Sequence, residues 1–111
     1  MKRAKGRFLV VVLLLLPAVA WAYSAIWASG ADCRAIIARD RNACRSDDCR
    51  AIVETNVFSC ESEDCKAIVE RNAYHCETED CRAYIQGRRL NCRTENCKAL
   101  VDKNRQKCRD N

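Results

Sequence analysis

The sequence predicts an all-α fold, a disulfide-stapled array of five short helices with an α-solenoid-like organisation. Two observations carry this. The ten cysteines fall at 33, 44, 49, 60, 65, 76, 81, 92, 97 and 108, so gaps of 11 and 5 alternate and a 16-residue unit runs five times. A hydroxyl residue followed by acids then recurs three positions before a cysteine, at Ser46, Ser62, Thr78 and Thr94. Self-similarity at a fixed period marks an array in which each unit buries its apolar face against its neighbours. Tandem disulfide-linked helical hairpins are the alternative arrangement of the same units.

The chain opens on Lys2, Arg3, Lys5 and Arg7 and passes at Phe8 into an uncharged apolar run. Pro17 and the small residues of Ala20-Trp21-Ala22 complete the pattern of a signal peptide, residues 1–22, cleaved after Ala22. The competing reading is an uncleaved signal anchor over 8–31, long enough to span a bilayer, with Trp21, Tyr23 and Trp27 at the outer interface. Both readings place the cysteine region on the non-cytoplasmic side: secreted or periplasmic, or membrane-anchored. Asp32 directly before Cys33 is a poor fit to a lipidated cysteine. Residues 23–31 read as a short apolar linker, and 32–111 as the repeat domain, in units 32–47, 48–63, 64–79, 80–95 and 96–111.

Each unit reads as one helix. A hydroxyl N-cap satisfies an orphan backbone amide, and acids in the first turn (Asp47-Asp48, Glu63-Asp64, Glu79-Asp80, Glu95) complement the positive end of the helix dipole. Gly87 reads as lying inside a helix, so no glycine C-cap marks the turns. An 11-residue step turns a helix by about 1100°, three turns plus about 20°. Both cysteines of a unit are then expected on one helical face, together with Ile68, Val69, Asn72 and Ala73 in the central unit. Asn56, Asn72 and Asn104 recur on that stripe, where a bond to the backbone at a turn competes with a solvent-lined groove. Ala35, Ala51, Ala67, Ala83 and Ala99 fall on the opposite side, which predicts close approach by a second helix.

Two cysteines 11 apart in one helix are separated by about 16 Å, beyond the roughly 7 Å reach of a disulfide. Bridges are therefore expected between units: Cys44–Cys49, Cys60–Cys65, Cys76–Cys81 and Cys92–Cys97, with Cys33 and Cys108 left to pair together, stay free or bridge two chains. The rival scheme nests Cys44–Cys49 inside Cys33–Cys60 and Cys76–Cys81 inside Cys65–Cys92. Its style is similar to that of the twin Cx9C helical hairpins of the mitochondrial intermembrane space, but ten residues rather than nine separate the cysteines here and the units number five, so that family is not assigned. Removal of 22 residues leaves 89 with ten cysteines, about one in nine, the composition of an exported disulfide scaffold.

Four of the 20 basic residues precede Ala22 and none of the 15 acids do, so the exported part carries 16 basic against 15 acidic groups. A nearly neutral chain has no electrostatic footprint for nucleic acid. Metal binding has little support, since no Cys-x2-Cys occurs and His75 is the sole histidine. Four repeats of Cys-x4-Cys look structural rather than catalytic, two acids and a hydroxyl are too few ligands for calcium, and no unique catalytic constellation stands out. The expectation is a non-enzyme without cofactor or resident metal.

Two surface rows remain. Arg34, Arg50, Lys66, Arg82 and Lys98 form a basic row, partly matched four residues on by Glu54, Glu70 and Asp102. Phe58, Tyr74 and Leu90 hold one repeat position in the three central units, with Asn42 and Gln106 in the outer two. Packing between helices and an apolar binding patch both fit that pattern. The function expected is a non-catalytic module that binds an unknown protein or peptide through Phe58, Tyr74 and Leu90. A structural or envelope-associated element is the alternative, and a metal or thiol-redox role the third.

Overall fold

The computed structural model describes residues 25–110. The signal peptide expected over residues 1–22, with cleavage after Ala22, and the first part of the alternative anchor lie outside the described residues. Six helices follow in order: α1 Ala25–Ala28, α2 Gly30–Ala38, α3 Asp47–Glu54, α4 Glu63–Glu70, α5 Glu79–Gln86 and α6 Glu95–Asp102. Each of the last five is followed by a short 3-10 turn, at Arg41–Ala43, Val57–Ser59, Ala73–His75, Arg89–Asn91 and Arg105–Lys107. No described helix is long and apolar enough to cross a membrane.

The starts of the helices follow from their caps. The side chains of Ser46, Ser62, Thr78 and Thr94 accept the backbone N–H of Cys49, Cys65, Cys81 and Cys97, each at 3.1 Å, and Ser29 caps α2 through Asp32. The ends differ from the expectation. Each full helix stops at a residue in the left-handed conformation, Arg39, Thr55, Arg71, Gly87 or Lys103. The next residue donates its N–H back to the alanine that recurs in every unit, as Asp40 does to Ala35 at 2.9 Å, which is a Schellman closure. Gly87 is therefore a C-cap, at φ +67°, and not a helix-interior glycine. It was hidden because four of the five caps are not glycine.

That early stop also corrects the geometry of the cysteines. Helices α3 to α6 are eight residues long, and Cys44, Cys60, Cys76, Cys92 and Cys108 sit in extended backbone after the 3-10 turn. The two cysteines of a unit thus share no helical face. Asn56, Asn72 and Asn104 accept the N–H of Phe58, Tyr74 and Gln106 at 3.1 Å, so they cap the 3-10 turns and line no groove. Arg88 replaces them in the fourth unit and makes no such bond.

Staples join successive units at Cys44–Cys49, Cys60–Cys65, Cys76–Cys81 and Cys92–Cys97, with Cα–Cα separations of 5.5 to 5.6 Å. The remaining pair is Cys33–Cys108, 75 residues apart in sequence, which excludes the nested-hairpin scheme and leaves no free cysteine. Each helix from α2 to α6 packs on the next, and α6 packs back on α2. The disulfide-stapled array of five short helices is as expected, and contact between its first and last units closes it into a ring.

A buried carboxylate ties each unit to the following one. Asp32, Asp48, Asp64 and Asp80, all in first turns and all buried, accept a backbone N–H from the residue 13 further on and the hydroxyl of the next N-cap, the latter at 2.6 Å. A buried charge is tolerated only with such partners, and charge-assisted bonds of this kind stabilise by about 1.5–3 kcal/mol each. Because the bonds link first turn to first turn, all five helices point the same way around the ring. Their N-termini form one mouth and their left-handed caps the other. Each first-turn cysteine sulfur rests 3.5 to 3.8 Å from the carbonyl oxygen of the acid one unit back, and Cys33 completes the cycle against Asn96.

Closure uses residues that depart from the repeat. Asn96 stands in place of aspartate, fully buried, and its Oδ1 accepts the N–H of Arg109 while its Nδ2 donates to the carbonyls of Arg109 and Trp27. Asp110 stands where a hydroxyl cap would be and accepts the N–H of Gly30 at 2.8 Å. A Cβ at Gly30 would lie 2.9 Å from the carbonyl carbon of Arg109, so the glycine is what lets the tail seat against α2.

The core is built from the cysteines, all buried except the half-buried Cys60, the five alanines at 0–1 % exposure, Ile36, Ile68 and Leu100, and an apolar pair near the N-terminus. Close approach at the alanines is as expected. The segment read as a linker carries two core residues, because Ile26 and Trp27 are 0 % and 2 % exposed and α1 touches α2, α3 and α6. The Trp27 indole N–H donates to Asp64 at 3.1 Å, and its ring meets Tyr84 edge-on at 6.3 Å. The N-terminal mouth of the ring is thereby plugged.

Candidate functional site

Phe58, Tyr74 and Leu90 each take the second position of a 3-10 turn and are 95, 97 and 92 % exposed. They pack against no helix. The packing alternative depended on a helix continuing through these positions, and the left-handed caps at Thr55, Arg71 and Gly87 end it before them. Large apolar side chains held out on ordered turns carry an unfavourable solvation that nothing within the ring relieves. Three consecutive units present one each, while Asn42 and Gln106 occupy the position on the flanking units.

The basic row is a solvated ion-pair face, but its acids lie three residues back. Arg50 pairs with Asp47, Lys66 with Glu63, Arg82 with Glu79 and Lys98 with Glu95. The expected partners four residues on turn elsewhere: Glu54 to Arg41 and Asp102 to Arg89, both at 2.8 Å across adjacent units, and Glu70 to His75 at 3.8 Å. These acids lie at helix ends, where the chain folds outward and the neighbouring 3-10 turn is nearer than the same helix's first turn. Hydrogen bonding from Arg50 and Arg82, reinforced by their charge, holds the carboxyls of Asp47 and Glu79 below the usual range.

The carboxylates of Asp48 and Asp64 each lie within 4.8 Å of a cysteine pair, Cys60–Cys65 and Cys76–Cys81 respectively. The sulfurs there are joined in disulfides and the carboxylates are engaged by Ser62 and Thr78, so neither cluster offers a thiolate ligand in this form.

A second feature was not anticipated. At the C-terminal mouth of the ring lies a cavity of about 290 Å³, walled by Ile36, Ile52, Ile68, Tyr84 and adjacent β-branched residues, and edged by Arg39, Thr55 and Arg71. The signal for it in the sequence is the pair of large apolar residues three and four positions after each first-turn cysteine, such as Ile52-Val53 and Ile68-Val69. Burial pushes the Tyr84 phenol upward, and the charges of Arg39 and Arg71 oppose that shift, so both guanidinium groups act on the phenol from the rim. Neither arginine side chain has an ion-pair or hydrogen-bond partner among the described residues, whereas Arg41, Arg50, Arg82 and Arg89 are paired with acids.

No family model, curated protein or solved structure matches this chain.

Proposed function

We propose that this chain is an exported, non-catalytic binding module whose ring scaffold presents Phe58, Tyr74 and Leu90 to a protein or peptide. The observation that carries the reading is the exposure of all three side chains above 90 % at one repeat position of three successive units. Aromatic and large apolar residues dominate binding energetics, whereas exposed ion pairs such as those of the basic row contribute little. An oxidising, non-cytoplasmic compartment is supported by the pairing of all ten cysteines. A structural envelope element without a specific ligand is the alternative, and the closed, heavily cross-linked ring is what favours it.

The test compares two variants, each first checked by circular dichroism: Phe58→Ser with Tyr74→Ser and Leu90→Ser, against Arg50→Ser with Lys66→Ser. The exposed trio makes no contact that folding needs, so its stability should change by no more than about 0.5 kcal/mol. Partners captured from the native compartment should be lost by the first variant and kept by the second. The reverse pattern, or capture of nothing by the unaltered protein, rejects the reading.

A further inference from the structure

We infer that the C-terminal mouth of the ring is a binding site for a single-chain anionic amphiphile, with its acyl chain in the central cavity and its acidic head on Arg39 and Arg71. This site is separate from the perimeter trio and does not rest on it.

The cavity has two chemically distinct zones. Its wall carries aliphatic and aromatic side chains from α2, α3, α4 and α5, and Ile26 and Trp27 are buried on the N-terminal side of the ring. A chain entering from the C-terminal side meets the aliphatic side chains of four helices, where its burial is favourable in proportion to area. At about 30 Å³ for a water-sized group, 290 Å³ holds about ten methylene-sized groups. That is one short acyl chain, and too little for two chains.

The rim selects the head group by charge. Arg39 and Arg71 stand at helix C-termini, where a cation also complements the helix dipole, and Lys103, at the same position of the last unit, needs no other role. The two arginines differ in lining the cavity and in both reaching the electrostatic neighbourhood of Tyr84. The Thr55 hydroxyl completes the rim with a donor. Guanidinium donors match a carboxylate or phosphate oxygen, while an ammonium head would be repelled. No carboxylate lines this cavity among the described residues.

The chain is expressed with its own leader and purified as exported, then titrated by calorimetry with sodium decanoate, decanol, decyltrimethylammonium and lysophosphatidylglycerol, all below their micelle concentrations. Saturable one-to-one binding of decanoate, at least about tenfold tighter than decanol or the ammonium (1.4 kcal/mol per tenfold), is expected. Binding of lysophosphatidylglycerol rather than decanoate keeps the ligand class and identifies a lipid source. Saturable binding of neither anion, or equal binding of decanol, overturns the inference. Arg39→Asn with Arg71→Asn removes the charges while keeping a residue that tolerates the left-handed conformation, and should lower decanoate affinity to that of decanol without changing decanol. Unchanged decanoate affinity also overturns it. If that variant does not fold, Val53→Phe, which narrows the cavity from its half-exposed wall, decides: loss of decanoate binding supports the site and retention rejects it.

Discussion

Opening the ring at Cys33–Cys108 should destabilise this protein far more than removing any other disulfide. A cross-link stabilises chiefly by restricting the unfolded chain, and its effect grows with the loop it closes. For the separation of 75 residues between Cys33 and Cys108 the loop-entropy relation gives about 4.5 kcal/mol, against about 2 kcal/mol for the separation of 5 between Cys76 and Cys81. These pairs are matched controls: Cys33 and Cys81 are both 0 % exposed, and Cys108 and Cys76 both 7 %. Losses of buried volume on Cys→Ala substitution therefore nearly cancel between the two double variants, and the difference of about 2.5 kcal/mol isolates closure. Urea unfolding of Cys33→Ala with Cys108→Ala and of Cys76→Ala with Cys81→Ala, all other disulfides intact, measures it. Equal losses in the two variants would refute the reasoning, because the ring would then be held by packing between α2 and α6 and not by the covalent link.

Gly30→Ala should cost about 1–3 kcal/mol, since the added Cβ meets the Arg109 backbone rather than a flexible side chain; hydrogen exchange at residue 110 should rise with it, and an unaltered denaturation midpoint would show that the tail is not seated there. Stability should also fall in alkali. The buried Tyr84 phenol has its folded pKa raised above the ordinary value of 10.0, so its contribution is complete below that value and is lost as pH rises through the folded pKa. A Tyr84→Phe variant should lack this alkaline loss. At the acid end the depressed carboxyls of Asp47 and Glu79 contribute above their unfolded values and lose that contribution as pH falls through the folded ones, a decline that Asp47→Asn with Glu79→Gln should reduce.

Local order was legible in the sequence wherever one residue type does one job. Ser46, Ser62, Thr78 and Thr94 cap helices because a hydroxyl before acids has few other roles, and the five-residue cysteine gaps favour turn staples over the nested scheme. The helix ends were not legible. Arg39, Thr55, Arg71 and Lys103 adopt φ near +55° without being glycine, held by the Schellman bonds and the following turn cap. A helix continued a few residues further would carry Phe58, Tyr74 and Leu90 on a packing face, whereas the early stop makes them project from turns. Ile26 and Trp27 are illegible as core for another reason: an apolar plug has the same composition as the apolar run of sequence that precedes it. Ring closure and the cavity depend on the angle between units, which no property of a single unit specifies.

What the sequence does encode about closure lies in the letters that break the repeat, and Asn96 is the sharpest of them. Four units place aspartate there, accepting a hydroxyl proton from the next N-cap. In the fifth, the residue in the N-cap position is Asp110, whose carboxylate is turned to the Gly30 N–H and has no proton to give. An aspartate at 96 would bring a second carboxylate into that neighbourhood and face the carbonyl oxygens of Trp27 and Arg109 in place of two donated bonds. Asn96→Asp should therefore cost about 3–5 kcal/mol at neutral pH, the range for an uncompensated buried charge. The introduced carboxyl would have its folded pKa raised, so the variant should recover stability on acidification through that pKa, opposite to the acid decline expected at Asp47 and Glu79. Adding Asp110→Ser restores the pairing used by the other four units and should recover part of the loss. Recovery is incomplete because the Trp27 carbonyl still faces the site. Denaturant midpoints of the single and double variants at neutral and acid pH provide the measurement. If Asn96→Asp is as stable as the unaltered chain, or if Asp110→Ser deepens its defect, the asparagine is a neutral variant of the repeat and not the residue that lets the last unit meet the first.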